Sequence, residues 1–339
     1  MNILQKIFSV KNDLTSCHKV LTIFGIKFKF KSKFLLLQKN NQILQENLNH
    51  LILKNEELKY KLNKFSKVEN YPVLLKEWYF NCTGENLDLD NPKTYNEKLQ
   101  WMKLHDNNSL KTILSDKYLV RNWIKEKVGE EYLIPLLGVY NNFDEINFKE
   151  LPNQFVIKCN HGSGYNIIVK DKSKIDIDAI RNKINFWMNE NFAFKNGFEM
   201  QYENIPKKII IEKYIENSDD DLYDYKVWCF DGKAEYIQFL SERKNGLKMA
   251  FYDTNWNKQD FVYNYPLDKK TIQKPEKLPL LLELAEKLSK DFKHVRVDFY
   301  ITNDNQIYFG EMTFTSYSGI MSWLPKNINL FFGNKIKLN

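Results

Sequence analysis

From Leu151 onward the chain is a succession of short β-rich runs, and that succession limits what it can fold into. The runs are QFVIKCN, YNIIVKD, KIIIEKYI, DYKVWCFDG, AEYIQFL, KMAFYD, VRVDFYI and QIYFGEM. Turn residues bound each of them. Helical spacing interrupts the series twice, near Ile177–Asn191 and Pro279–Phe292. A parallel doubly wound sheet needs a helix between most strands. Strands in clusters with few helices between them point instead to an α+β domain built on antiparallel sheets.

Upstream the periodicity changes. Residues 68–150 read as mainly helical, with apolar residues at helical spacing in Tyr95–His105 and Ser115–Lys127. In residues 34–67, Leu37, Leu44, Leu51, Leu58 and Phe65 recur every seven positions. Phe34, Leu48 and Leu62 lie on the alternate seam, interrupted by Asn41 and Asn55. A narrow seam with Asn at two a positions predicts a parallel two-stranded coiled coil, hence a homodimer. A long helix packed on its own domain is the other reading. Residues 1–33 form a basic leader in which Lys6, Lys11, Lys19, Lys27, Lys29, Lys31 and Lys33 face one acid, Asp13. Ile26 to Phe30 alternates apolar with Lys, as a strand or an interfacial anchor would. With Ile23, Phe24, Phe28 and Phe30, this leader suits an anionic membrane surface, and it suits equally a solvated or packed arm. Residues 326–339 are read as a basic tail after a domain spanning 151–325.

The net charge of +7 reflects that placement. Cys17, Cys82, Cys159 and Cys229 form no C-x-x-C pair, so they fit reduced thiols rather than zinc or disulfides. The opening MNILQKIFSVKND lacks a secretory h-region, and no apolar run reaches the roughly 20 residues that span a bilayer. A cytoplasmic protein, at most held at the inner face of the membrane, is expected.

Four constellations carry chemistry. In the first, a strand ends at Lys158 and runs into His161-Gly162-Ser163-Gly164, where backbone N–H groups can approach phosphate oxygens. This is not a Walker loop, and alone it is also a plain hairpin turn. In the second, Glu212-Lys213-Tyr214-Ile215 leaves a strand and offers a carboxylate and backbone groups to an adenine edge, or is simply an amphipathic strand. In the third, alternation puts Asp224, Lys226 and Trp228 on one strand face. The fourth is the most informative. Arg296 and Asp298 project from one side of a strand, a turn follows at Asn303-Asp304-Asn305, and the returning strand carries Glu311. Two facing carboxylates repel unless a cation joins them, and Mg²⁺ takes such ligands together with substrate phosphates. Arg296 would stabilise charge on a transferring phosphoryl group. A solvated hairpin with scattered charges is the alternative.

Taken in this order, the motifs resemble the ATP-grasp superfamily and, more narrowly, its TupA-like group, named for teichuronopeptide synthesis. The resemblance covers roughly residues 70–320 and includes NPKTYNEKLQW, SDKYLVRNWIKEKVGEEYLIPLLGVY, LPNQFVIKCNHGSG, EKYIE, DYKVWCFDGK and VRVDFY with GEMTFT. It implies an ATP-grasp fold, two α+β subdomains clasping ATP. It implies that Lys117 and Lys158 contact ATP phosphates and that the loop His161 to Gly164 closes over them. Glu212, Lys213 and Ile215 would hold adenine, and Lys226 would reach the terminal phosphate. Asp298 and Glu311 would bind Mg²⁺, with Arg296 beside the transferring phosphoryl. Many ATP-grasp enzymes place Asn two residues after the last metal carboxylate. Here Thr313 stands there, a weaker ligand, so a second magnesium ion would lean on Glu311. The implied reaction is ligation of a carboxylate, such as a uronic acid on a glycan or sugar nucleotide, to an amine through an acylphosphate. Substrate contacts are expected from Thr313 to Gly319 and from Ser241-Glu242-Arg243.

Two other classes stay open. A glycosyltransferase would use a D-x-D motif, formally present at Asp219–Asp221 and Asp88–Asp90, both in polar loops. A scaffold would use the coiled coil and basic arm alone. Nucleic-acid binding is not expected, because no motif for it occurs in the folded part.

Overall fold

The computed structural model describes residues 8–13, 18–23, 26–31, 33–215, 223–241 and 246–338. The chain divides into two compact units, Met1–Phe65 and Ser66–Asn339. In the first, strands β1 (Phe8–Asp13), β2 (His18–Ile23) and β3 (Ile26–Lys31) pair antiparallel in chain order. Helix α1 (Lys33–Phe65) follows as one uninterrupted element of 33 residues. With neither Gly nor Pro to break it, the heptad segment is helical from end to end.

The second unit holds two large sheets, each backed by a helix, and one two-stranded pair. Strands β4 (Leu136–Tyr140), β5 (Phe155–Cys159), β6 (Asn166–Val169) and β7 (Ile209–Lys213) form an antiparallel sheet in the order β4-β7-β5-β6. Strand β4 is a correction, since it lies within the stretch read as mainly helical. Between β6 and β7 runs helix α6 (Ile177–Asn189), started by Asp176, whose carboxylate accepts from the N–H of Ala179 at 2.9 Å. Its Ile180, Ile184 and Trp187 fall on one face and bury against Phe155, Ile157, Ile209 and Ile211.

The larger sheet takes β8 (Tyr223–Phe230), β9 (Lys233–Ser241), β10 (Lys248–Asp253), β11 (Lys258–Gln259), β13 (His294–Ile301) and β14 (Ile307–Thr313), ordered β11-β10-β9-β8-β13-β14. Helix α7 (Leu278–Ser289) lays Leu281, Leu284, Ala285 and Leu288 on Val227, Val295, Val297 and Phe299. The opposite face begins with an aromatic layer. Trp228, Phe230 and His294 meet Tyr95 of α3 (Tyr95–His105) and Phe332 of α8 (Ile328–Lys335). A capping box between Thr94 and Glu97 fixes the start of α3. A short pair, β12 (Val262–Tyr263) with β15 (Trp323–Leu324), closes that layer. Helix α2 (Tyr71–Thr83) completes the helical part that precedes the sheets.

One further boundary differs from expectation. Ser115–Lys127 is not one helix but the end of α4 (Ser109–Ser115), a break, and α5 (Val120–Lys127). Asp116 makes the break: its Oδ1 accepts from the N–H groups of Tyr118 and Leu119 and from Asn160 Nδ2, at 2.7, 3.1 and 2.9 Å. An aspartate that satisfies turn N–H groups competes with helix continuation. The break carries Lys117 out to the loop that follows β5.

Candidate active site

The site is built first by the β13–β14 hairpin. In β13, Val295, Val297, Phe299 and Ile301 face α7, so Arg296 and Asp298 face the other way. In β14, Ile307 and Phe309 lie in the same core as Met312 and Phe314, a change of phase that regular alternation forbids. A bulge at Gly310 supplies it: the register passes from Asp298↔Glu311 to Phe299↔Phe309. A Cβ on Gly310 would stand 3.0 Å from the Asp298 carbonyl oxygen, so a side chain there would crowd the bulge. The bulge turns Glu311 and Thr313 to the side of Asp298 and Arg296.

On that side the charges interlock. Arg296 donates from Nε to Asp298 Oδ1 and from Nη2 to Oδ2, both at 2.7 Å. Its Nη2 also reaches Thr313 Oγ1 at 3.1 Å and Glu311 Oε1 at 3.4 Å. Lys226, from β8 next door, meets Asp298 Oδ2 at 2.5 Å and Asp224 Oδ2 at 2.7 Å. Burial alone would raise the Asp298 carboxyl; Arg296 and Lys226 outweigh it and hold it below the usual range. Burial likewise opposes the charge on Lys226, and Asp224 with Asp298 restores it above the ordinary value.

The smaller sheet contributes a second cationic group. Lys158 Nζ pairs with Glu212 Oε2 at 2.5 Å, and Arg121 Nη1 with Glu212 Oε1 at 3.2 Å. Glu212 is thereby engaged by two cations, while Lys213 donates its N–H to the Pro135 carbonyl at 2.9 Å and Ile215 is half-buried. Lys117 donates its Nζ to the Gly162 carbonyl. Burial, then the nearby Lys158, lowers its proton affinity despite the opposing field of Glu311. A half-buried ammonium with a like charge beside it favours an incoming anion.

A cavity of about 370 Å³ joins the two sheets. Ser163 and Gly164 line one side, Arg296, Glu311, Thr313 and Thr315 another. Gly164 has φ +74° and open space where a Cβ would be, so the loop's backbone can approach a ligand there. His161 is turned the other way. Its ring is buried, Nε2 lies 2.9 Å from the Trp187 carbonyl, and burial pushes its pKa down to about 4. Its imidazole supports the loop from the core. Of the residues expected to hold ATP and Mg²⁺, Ser163, Gly164, Arg296 and Glu311 line this cavity, whereas Lys117, Lys158, His161, Gly162, Glu212, Lys213, Ile215, Lys226 and Asp298 do not.

The hard oxygens of Glu311 and Thr313, which line the cavity, suit Mg²⁺; both oxygens of Asp298 are engaged by Arg296 and Lys226, so Asp298 would join them only by exchanging one of those pairs for the ion. Among the described residues no three acidic, His or Cys side chains gather to hold a metal by themselves. Such a donor set fits a magnesium ion that completes its shell with phosphates and water.

The remaining expectations fall out as follows. Thr315, Tyr317 and Ser318 line the cavity, whereas the Ser241 hydroxyl is buried against Asp268 Oδ2 at 2.5 Å. Glu242, Arg243 and Asp219–Asp221 lie outside the described residues, as do Cys17 and Phe24. Asp88 Oδ1 caps a turn by accepting from the N–H groups of Asp90 and Asn91 at 3.0 and 2.9 Å. Sequence reasoning missed Arg121, Lys103, Glu199 and Tyr202. Arg121 follows Lys117 by four residues and could have been read as part of its group; the others sit in no motif.

The profile of the family described as TupA-like ATPgrasp matches residues 97–337. No curated protein matches the sequence. Among solved structures, the chain is similar to an L-amino acid ligase from Bacillus licheniformis (12% identity, TM-score 0.40, covering 64% of this chain and 48% of that one). It is also similar to an ADP complex of N5-carboxyaminoimidazole ribonucleotide synthetase (14%, 0.39, 64% and 50%). A D-alanine–D-alanine ligase from Bacillus anthracis complexed with ATP gives 18%, 0.33, 59% and 55%. The chain thus spans about half the length of these solved structures.

Proposed function

Since the chain belongs to the TupA-like ATP-grasp family, we propose that it is an ADP-forming carboxylate–amine ligase. The observation that carries this reading is the charged face shared by Lys226, Arg296, Asp298 and Glu311, of which Arg296 and Glu311 line one cavity together with Ser163 and Gly164. Phosphoryl transfer to a carboxylate brings anions together, and it proceeds where cations are already fixed to receive them. Lys117 and Lys158 hold ATP phosphates under the loop, and the segment Glu212–Ile215 holds adenine. Glu311 and Asp298, with Thr313 as the weak third oxygen, would hold Mg²⁺, which would supply charge neutralisation at the phosphates. Arg296 and Lys226 orient the terminal phosphoryl group. The substrate carboxylate attacks that phosphorus, ADP leaves, and an amine displaces phosphate from the acylphosphate to leave an amide.

The acid we propose is a uronic acid of a cell-surface glycan or of its sugar-nucleotide precursor. Its contact is assigned to Tyr317, in the Thr313–Gly319 segment on the cavity wall. The chain works as a homodimer through residues 34–67, with the basic leader against the inner face of a membrane. Among the described residues no helix is long and apolar enough to cross one. The test is ADP and phosphate release from ATP in the presence of UDP-glucuronate or UDP-galacturonate and a panel of amines. The reading expects release that requires acid and amine together. Transfer of the sugar from the sugar nucleotide, with ATP untouched, would replace it by a glycosyltransferase.

A further inference from the structure

The cavity also gathers a group of buried polar residues that the phosphoryl chemistry does not use. Glu199 is 4% exposed and lines the cavity. Its Oε1 accepts from the Thr315 hydroxyl and its Oε2 from the Ser318 hydroxyl at 3.3 Å. Thr315 Oγ1 in turn accepts from Gln201 Nε2 at 2.9 Å, so its proton is directed at Glu199. Lys103, 2% exposed, reaches into this region from α3. It donates to the carbonyls of Ser318 and Asn196 at 2.8 and 3.1 Å and lies 4.6 Å from the centre of the Trp78 ring.

The backbone here is held in an unfavourable shape. Tyr317, Ser318 and Gly319 are successive left-handed residues, at φ 49°, 52° and 68°. Two non-glycine residues in that region cost of order 1–3 kcal/mol each. Gln100 Nε2, donating to the Ser318 and Gly319 carbonyls at 2.9 and 2.8 Å, and Lys103 together hold the segment in place. A buried acid, a buried cation and two strained residues converge at a cavity that Arg296 and Glu311 also line. Such costs collect where a ligand is handled. Tyr202 lines the cavity as well: burial, then Glu199 and Glu311, raise its hydroxyl.

Resting on the ligase reading above, we propose that Glu199 is the acceptor-binding carboxylate, which receives a primary ammonium and removes one of its protons. A carboxylate aimed into a cavity by two hydroxyl donors has lone pairs left for an N–H of the incoming ammonium. Burial raises its proton affinity, as a base for that step requires. The ammonium gives a proton to Glu199 and becomes an amine. The amine lone pair then forms the C–N bond to the acyl carbon, the C–O bond to phosphate breaks, and the second nitrogen proton leaves with phosphate. Thr315, Ser318 and Lys103 are positioning residues for Glu199.

The test uses the full chain saturated with Mg-ATP, titrated at constant ionic strength with ethanolamine, choline and ethylene glycol as probes. Ethanolamine should raise the melting temperature above that with Mg-ATP alone. Choline, which has no N–H to donate, and ethylene glycol, which has no charge, should not. Glu199→Gln should keep the Mg-ATP response and weaken the ethanolamine response roughly 10- to 100-fold, the worth of a hydrogen bond to a charged group. If the variant does not fold, the comparison of the three probes on the unmutated chain decides. No ethanolamine effect, an equal choline effect, or an undiminished effect in Glu199→Gln overturns the assignment while leaving the ligase reading intact. Absence of any Mg-ATP effect removes both.

Discussion

Asp298 is the residue on which the site's electrostatics turn. It is buried, and both its oxygens are bound by cations, Arg296 on one side and Lys226 on the other. Removing one partner of such a group strands the rest in low dielectric, typically at about 3–5 kcal/mol. Asp298→Ala should therefore lower stability by an amount of that order, measured by denaturant unfolding; a change under about 1 kcal/mol, as for an exposed pair, would contradict the burial. The alternation of β13 placed Arg296 and Asp298 on one face at the level of sequence. That Lys226 closes on Asp298 could not be read there, because it depends on strands 72 residues apart lying in register.

Among the described residues two histidines are buried, and they give a pH signature. His161 and His294 are held neutral by burial, with pKa values pushed down to about 4 and about 3. In the unfolded chain they titrate near 6.5, so between those values the unfolded state carries protons that the folded state refuses. Stability is then greatest above pH ~6.5 and falls as pH drops, by about 1.4 kcal/mol per pH unit for each histidine. Denaturant midpoints between pH 7 and 5 should fall steeply, and less steeply in His161→Gln. An unchanged slope would show that His161 titrates alike in both states. As a motif residue His161 reads as a loop contact; its burial follows from the packing of α6, which no local pattern states.

Among the elements, the β14 bulge decides whether a site exists. Apolar residues at 307 and 309 and then at 312 and 314 change phase across Gly310, and that shift was visible in the sequence. Its consequence was not, since a phase change becomes a bulge only when a partner strand keeps its own alternation. Gly310→Val would press a branched side chain toward the Asp298 carbonyl, 3.0 Å from the Cβ position. Overpacking of this kind costs about 1–3 kcal/mol. Because the strain falls on the strand that carries Glu311, the variant should also lose most of its stabilisation by Mg-ATP; full retention would mean the bulge does not set the site.

Helix α1 is an element whose sequence says more than its single chain can use. Leu37, Leu44, Leu51 and Leu58 are 59%, 62%, 61% and 56% exposed. At 1.5 Å per residue the helix is roughly 50 Å long, enough for a full seam. If a second copy covers that stripe, each leucine contributes about 1.5–3 kcal/mol. Leu44→Lys with Leu51→Lys should weaken the dimer at least ~100-fold in sedimentation equilibrium, and a parent chain that is already monomeric would contradict the proposal.

For the whole molecule, the α+β class and the two strand clusters were legible because strand patterning differs from helical patterning after Leu151. The order of strands within each sheet was not, since pairing is a property of tertiary packing rather than of any one run. Strand β4 was missed because its five residues lie among helices. What the fold achieves is two sheets, each covered by a helix on one side, with the loop after β5 and the β13–β14 hairpin meeting at the cavity of about 370 Å³. A ligand held by both halves stabilises the whole unit by mass action, by about 2.7 kcal/mol at a hundred times its dissociation constant.

The melting temperature of the purified chain with Mg-ATP, beside Glu311→Gln and Lys158→Ala, tests this account most directly. The expected result is a rise of several degrees in the parent, lost with EDTA and much reduced in both variants, roughly as a gain near 2.7 kcal/mol implies. A chain indifferent to Mg-ATP, or one stabilised as strongly after loss of Glu311 and Lys158, would show that these residues do not form a nucleotide site.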